Sequence, residues 1–163
     1  MIDQFQKEKF TEWNDRIIDK AMGFLKKEIL MKVDEHTYHV NFSDEFKILI
    51  KEAKQLEKMG YKIPKTIINI SLQEREYYQY ADRLNLMLED YNATVNSLND
   101  IDRLLLTDNI KKMNKALEPG YDSLNLSSLG IPDFIDNCNR VFYLFRQSTS
   151  SRTPRTKCSN LRR

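Results

Sequence analysis

The sequence predicts an all-α protein, an elongated bundle of four or five amphipathic helices with short connections. Glycine and proline occur only four times each in 163 residues, whereas β-sandwiches and barrels need many turn residues. Apolar residues recur at spacings of three and four along most of the chain, which is the period of a helix with one buried face. The longest such series runs unbroken from Tyr77 to Leu98 and is typical of a helical bundle or a short coiled coil.

The first predicted helix covers about residues 3–31. Charged side chains separate its apolar residues, as expected for a helix with one solvated face. The apolar stripe consists of Phe10, Trp13, Ile17, Ala21 and Phe24.

A short extended segment is predicted near residues 36–42, within a stretch of altered period that starts at 33. Tyr38, Val40 and Phe42 alternate there with polar residues, and a period of two fits a strand or an extended connector.

The second predicted helix has a clear start and stop. Ser43 can cap its N-terminus, acidic residues follow in the first turn, and Gly60 lies just past its end. Pro64 suits the first turn of the next helix. The apolar stripe in between contains Phe46, Leu49, Ile50, Ala53 and Leu56.

Two further helices are predicted after the Tyr77–Leu98 series. Asn99 and Asp102 can begin the fourth helix, and Pro119-Gly120 is expected to stop it. Pro132 then opens a fifth helix. We expect the Tyr77–Leu98 series to form internal core, with a groove for a partner as the less favoured alternative.

The charge distribution divides the chain into a helical segment, residues 1–146, and a basic, disordered end, residues 147–163. The net charge is +2, but the first 145 residues hold 20 basic and 24 acidic side chains and therefore carry −4. The end is rich in Ser, Thr and Arg and has lost the apolar period. A basic end of this kind allows an alternative function, a free-standing helical module that binds nucleic acid or anionic membrane.

No enzymatic site is predicted, and no cofactor. The glycines are Gly23, Gly60, Gly120 and Gly130, so the closely spaced glycines of a phosphate-binding loop cannot be written anywhere. His36 and His39 lie in the extended segment, which favours an ordinary loop role over a metal site. The carboxylates Glu74, Glu76, Glu89 and Asp90 are interpreted as a solvated helix face rather than an acid/base pair.

Several short motifs, in a fixed order, carry a family resemblance. They are the Phe10–Trp13 helix, the Val40-Asn41-Phe42 start, Glu52 with Leu56, the Gly60-Tyr61-Lys62-Ile63-Pro64 stop, Tyr91-Asn92, Pro119-Gly120, and Phe134-Ile135. This ordered set resembles the N-terminal tail of dynein heavy chains, more closely the axonemal members, and spans about residues 5–142. Leu126 stands where the family usually has a tryptophan, and the similarity fades after Arg140.

The resemblance implies a non-catalytic scaffold cut off before the AAA+ motor of the family. It implies assembly with dynein intermediate and light chains and with other heavy chains, and no contact with nucleic acid or membrane. Microtubules would be engaged only indirectly, through an ATP-driven parent complex. The implied location is the cytoplasm and cytoskeleton, within the cilium axoneme.

Overall fold

The structure, a computed structural model, describes residues 2–150. They form seven α-helices and one two-stranded antiparallel sheet, so the all-α prediction with a small extended segment is confirmed. The basic end beyond residue 150 lies outside the described residues. In chain order the elements are α1 (Ile2–Leu25), β1 (Leu30–Asp34), β2 (Thr37–Val40), α2 (Asp44–Lys58), α3 (Lys65–Leu72), α4 (Glu74–Asn96), α5 (Asp100–Leu105), α6 (Thr107–Asp122) and α7 (Ile131–Ser150).

The extended segment contains one strand of a β-hairpin, β2, and the other strand, β1, begins at Leu30 within the end of the predicted first helix and continues into the stretch of altered period. Strands β1 and β2 pair in a register that sets Leu30 opposite Val40. The prediction of a first helix reaching residue 31 is wrong at its end, because α1 stops at Leu25. Ile29 instead donates its N–H to Leu124 O at 2.9 Å and accepts the N–H of Asn41 at 2.8 Å. These long-range bonds hold Ile29 outside the helix, and its side chain is only 1% exposed.

Helix α2 begins and ends as its sequence predicts. The Ser43 hydroxyl accepts the N–H of Glu45 at 3.1 Å and so caps the helix. Past the last turn, Gly60 adopts a φ of 87°, a left-handed conformation that costs glycine little.

Two predicted helices are each divided in the structure. After Pro64 the chain forms α3 and α4, joined through Gln73, whose N–H bonds back to Asn69 and Ile70 carbonyls. The predicted fourth helix is likewise split into α5 and α6 at Leu106. Apolar spacing continues across both breaks, so periodicity alone does not reveal them.

Pro119-Gly120 does not stop the fourth helix, contrary to the prediction. Helix α6 runs through both residues to Asp122. Proline has a helical φ, but it donates no N–H to the carbonyl four residues earlier, and its ring crowds that carbonyl. That carbonyl belongs to Lys115, an exposed residue, where water can replace the lost donor.

Helix α7 starts at Ile131 with Pro132 in its first turn, as predicted. It continues to Ser150, so residues 147–150, predicted to belong to the disordered end, are helical. The outward face of α7 is polar in this stretch, and helix propagation does not require apolar residues on every turn.

The hairpin packs against two of the helices. Strand β2 packs against α4, β1 packs against α6, and α7 covers both of these helices. Helices α1, α2 and α3 pack on one another. The Tyr77–Leu98 series is internal core, as expected, because Tyr77, Leu84 and Tyr91 are each at most 4% exposed. Within residues 2–150, no helix is long and apolar enough to span a membrane.

Candidate interaction surface

The first motif residues join α1 to α2. The indole Nε1 of Trp13 donates to Glu52 Oε2 at 3.4 Å. Phe10 stacks on Trp13 with ring centroids 5.9 Å apart and lies 4.6 Å from the ring of Tyr61. Leu56 is partly buried against the core beside them. The spacing of these motif residues therefore encodes one interhelical contact.

The stop motif turns the chain from α2 into α3. Gly60 takes the left-handed conformation, and Tyr61 donates its N–H to Leu56 O at 3.1 Å. Ile63 is 8% exposed and enters the core, while Pro64 immediately precedes the first residue of α3. These residues act through backbone geometry and packing.

The Val40-Asn41-Phe42 motif fixes the exit from the hairpin. The side-chain Nδ2 of Asn41 donates to Glu28 O at 3.0 Å, on the segment that leads into β1. The Phe42 ring meets those of Phe46 and Tyr78 edge-on at 6.0 Å and 5.5 Å. Val40 is the last residue of β2. The motif thus connects the hairpin to α2 and α4.

Tyr91 and Asn92 attach α4 to its neighbours. The Tyr91 hydroxyl donates to Asn114 Oδ1 on α6, and its ring lies 5.4 Å from that of Phe142 on α7. Asn92 Nδ2 donates to Tyr38 O in the hairpin at 3.3 Å. Burial raises the pKa of Tyr91, and it raises the pKa of Tyr38 to about 12, so both stay neutral at physiological pH.

The last motifs meet at the closest approach of α6 to β1. A Cβ on Gly120 would lie 2.6 Å from Leu30 Cδ1 and 2.7 Å from Phe134 Cζ, so only glycine fits without displacement. Phe134 and Ile135 are both buried, whereas Pro119 is exposed. The motif positions therefore serve mainly the packing of the fold, and Trp13 and Glu52 also line a groove between α1 and α2.

A concave groove lies between α1 and α2. Its volume is about 530 Å³. Besides the Trp13–Glu52 hydrogen bond, Lys20 Nζ and Glu45 Oε2 approach to 3.8 Å. The helices are therefore antiparallel, and these two contacts lie seven residues apart on each helix, about 10.5 Å along the axes.

The floor of the groove is apolar. Between the two cross-links, Ile17 and Leu49 form the buried floor at 4% and 2% exposure. Ile48 also lies between the two cross-links, but its side chain is 54% exposed. In the sequence, Ile48 lies beside the buried stripe of α2. This position indicated a surface residue, because a large aliphatic residue off the buried stripe has to face solvent or a partner.

The two rims of the groove differ in charge. Helix α1 contributes Lys9, Arg16 and Lys20 with a single carboxylate, and α2 contributes the carboxylates Glu45 and Glu52. The α1 carboxylate, Glu12, lies 2.9 Å from the amine of Lys9, and this hydrogen bond lowers its pKa. The α1 rim is thus net positive and the α2 rim net negative.

A second cavity of about 290 Å³ extends the groove toward the start of α1. It shares Lys9 and Trp13 with the first cavity. Its lining includes Phe5 and Met59, which are 61% and 63% exposed. We call the two cavities together the α1–α2 groove. The sequence analysis did not single out Phe5, Met59 or Ile48.

Other exposed apolar side chains lie on α5. Ile101, Leu104 and Leu105 are 71%, 78% and 63% exposed, and α5 buries none of its own residues. This short helix adds a second apolar surface. Among the described residues, no positive rim and negative rim border it, in contrast to the α1–α2 groove.

The residues considered for chemistry are not brought together. His36 lies in the hairpin turn, where its N–H bonds to Asp34 Oδ1 at 2.9 Å, and His39 is exposed on β2. Glu74 pairs with Lys54, and Asp90 pairs with Arg146 at 2.7 Å. Across residues 2–150 there is no group of three or more His, Cys, Asp or Glu side chains that could hold a metal ion.

Comparison with known proteins defines the class to which this fold and surface belong. Residues 1–134 match the family described as dynein heavy chain, N-terminal region 1. The match includes α1, the hairpin and all of α2 to α6. The chain therefore belongs to the dynein heavy chain family, and it corresponds to part of the N-terminal region of such a protein.

Individual relatives agree with this assignment. Over 143 residues the chain is 34% identical to the dynein-1-alpha heavy chain of the flagellar inner arm I1 complex of Chlamydomonas reinhardtii. Over 153 residues it is 28% identical to dynein axonemal heavy chain 10 of Homo sapiens. Each alignment covers 87% of this chain but 3% of the relative. Cytoplasmic dynein 2 heavy chain 1 of Chlamydomonas reinhardtii is 27% identical over 56% of this chain.

Proposed function

We propose that this chain is a non-catalytic scaffold segment of a dynein heavy chain tail. It assembles with other dynein subunits and helps to anchor the microtubule motor complex. The observation that carries this proposal is the match of residues 1–134 to the N-terminal region of dynein heavy chains. Motors need such a region to join subunits, and helical surfaces with exposed apolar grooves suit that task.

The partners proposed are dynein intermediate and light chains and other heavy chains. The α1–α2 groove and the apolar face of α5 are the surfaces that support this choice. ATP hydrolysis is assigned to the motor of a full-length heavy chain, and microtubules are reached only through the parent complex. The flagellar and axonemal relatives support a cytoskeletal location in the cilium axoneme.

A pull-down with purified dynein subunits tests the proposal. The tagged chain, residues 1–163, is immobilised and incubated with the intermediate, light and heavy chains dissociated from an axonemal dynein. We expect at least one subunit to be retained, and an unrelated helical protein of similar charge to retain none. Failure of a cooperatively folded chain to retain any subunit would contradict the proposed function.

The alternative function through the basic end gains no support from the described residues. Arg146, which immediately precedes that end, is paired with Asp90, and the basic residues of the end itself lie beyond residue 150. Binding to DNA or anionic vesicles that falls steeply with salt and disappears when residues 151–163 are removed would establish it.

A further inference from the structure

We propose that the α1–α2 groove is the docking site for an amphipathic α-helix of a second dynein subunit. The helix would be about four turns long, with its apolar stripe bordered by carboxylates on one flank and amines on the other. This inference rests on the proposed function, because it names the surface through which the scaffold would hold a partner.

The shape of the groove argues for a helix. It follows two antiparallel helices from Phe5 to Lys20, which is about 22 Å at 1.5 Å per residue. The Trp13–Glu52 and Lys20–Glu45 contacts link the side chains of the two walls, and Ile48, beside the buried floor, is 54% exposed. A third helix laid along two others buries the apolar residues of both, as in any helical bundle.

Three exposed apolar side chains lie along this line. Phe5, Ile48 and Met59 are each more than half exposed. Ile48 stands in the middle of the groove, while Phe5 and Met59 lie at its far end. Single exposed apolar residues are ordinary, but three in one groove are typical of a binding surface.

The charges of the rims specify the flanks of the partner. The α1 rim has an excess of positive charge, because it has three cationic side chains and a single carboxylate. That carboxylate, Glu12, is paired with Lys9 and Arg16. The α2 rim has only carboxylates, Glu45 and Glu52. A partner helix is therefore expected to place carboxylates toward α1 and amines toward α2, since complementary rims favour association and suppress wrong partners.

Variants in the full-length chain test the groove. Ile48→Glu introduces a carboxylate at an exposed position in its centre, so the fold should persist, while binding of dissociated axonemal dynein subunits should weaken about tenfold or more. The matched control is Leu86→Glu, at a more exposed position on α4, which should change the affinity less than about twofold. Unchanged binding by Ile48→Glu would overturn the proposal.

The charge requirement is tested with three synthetic helical peptides that share one leucine stripe. One has glutamates on one flank and lysines on the other, the second has only glutamates, and the third only lysines. The mixed peptide should bind tightest, and Arg16→Glu in the chain should weaken it more than Arg75→Glu on α4. A peptide with exchanged flanks is no control, because it can enter in the opposite direction. Equal binding of all three peptides would contradict the assignment.

The outcomes separate this inference from the proposed function. If the unmodified chain retains a dynein subunit and Ile48→Glu retains it equally, the scaffold function stands and the groove proposal is wrong. If the chain retains no subunit but binds the mixed peptide in an Ile48-dependent way, the groove recognises such a helix and the scaffold function fails. An Ile48-dependent dimer in sedimentation would assign the groove to a second copy and overturn the proposal.

Discussion

At the scale of single residues, Gly120 shows most directly how a motif position serves the fold. Its Cα faces Leu30 and Phe134 so closely that no Cβ fits. Gly120→Ala should therefore lower the free energy of unfolding by about 1–3 kcal/mol, even though alanine is the better helix former. Urea unfolding followed by circular dichroism measures the change.

Gly23 provides the matched control for Gly120. It also lies in a helix, but a Cβ there would meet nothing within 4 Å. Gly23→Ala should increase stability by up to about 1 kcal/mol, because only the helix propensity changes. Equal effects of the two substitutions would contradict the close packing of α6 on β1.

Tyr38 makes stability dependent on pH in the alkaline range. Burial raises its pKa from 10.0 to about 12 in the folded state. The neutral phenol is therefore favoured by folding. Its contribution is complete below pH 10 and is lost as pH rises from about 10 through 12, with a slope of up to about 1.4 kcal/mol per pH unit.

Tyr38→Phe removes this titration and keeps the ring. The loss of stability between about pH 9 and pH 11 should be smaller in Tyr38→Phe than in the unmodified chain, as urea midpoints would show. Tyr143→Phe, which removes the hydroxyl of a residue that is 61% exposed, is the matched control for the substitution itself. A steeper alkaline loss in Tyr38→Phe would refute the assigned direction.

At the scale of elements, the Ser43 cap connects a family motif to the stability of α2. Its hydroxyl accepts the N–H of Glu45. Ser43→Ala should lower the free energy of unfolding by about 1 kcal/mol, and Ser43→Asp should restore most of it, because aspartate caps equally well. Thermal unfolding of both variants measures these changes. If Ser43→Asp lost as much stability as Ser43→Ala, capping by residue 43 would be contradicted.

Elements whose apolar stripes face one neighbour were predictable from sequence. The stripe of α2 and the Tyr77–Leu98 series of α4 lie in the core where their spacing places them. The end of α1 was not predictable from sequence. Ile29 is held out of the helix by backbone hydrogen bonds to Leu124 and Asn41, which lie farther along the chain. Pairing between distant segments can override a local helical preference.

The candidate surface was predictable only in part. Trp13, Glu52 and Leu56 were singled out for their order in the chain, and the structure places them beside the α1–α2 groove. Ile48 and Phe5 were missed, because a stripe pattern identifies what is buried and not what a partner covers. The rim charges become informative only once α1 and α2 are known to be antiparallel.

At the scale of the whole molecule, the helices form two groups. Helices α1 to α3 pack on one another and bear the groove, whereas α7 packs on α4 and α6, which also contact the hairpin. The aromatic rings of Tyr38, Tyr91 and Phe142 link hairpin, α4 and α7. The floor of the groove, Ile17 and Leu49, is buried, which favours a preformed docking surface over one ordered on binding.

Sedimentation of the folded chain with dynein subunits tests the central claim, that this segment is a scaffold for assembly. The chain is centrifuged alone and together with purified axonemal intermediate and light chains, and then with heavy-chain tail fragments. The account predicts a faster-sedimenting complex that contains the chain and at least one of these subunits at micromolar concentration. A folded chain that sediments unchanged beside every one of them would contradict it.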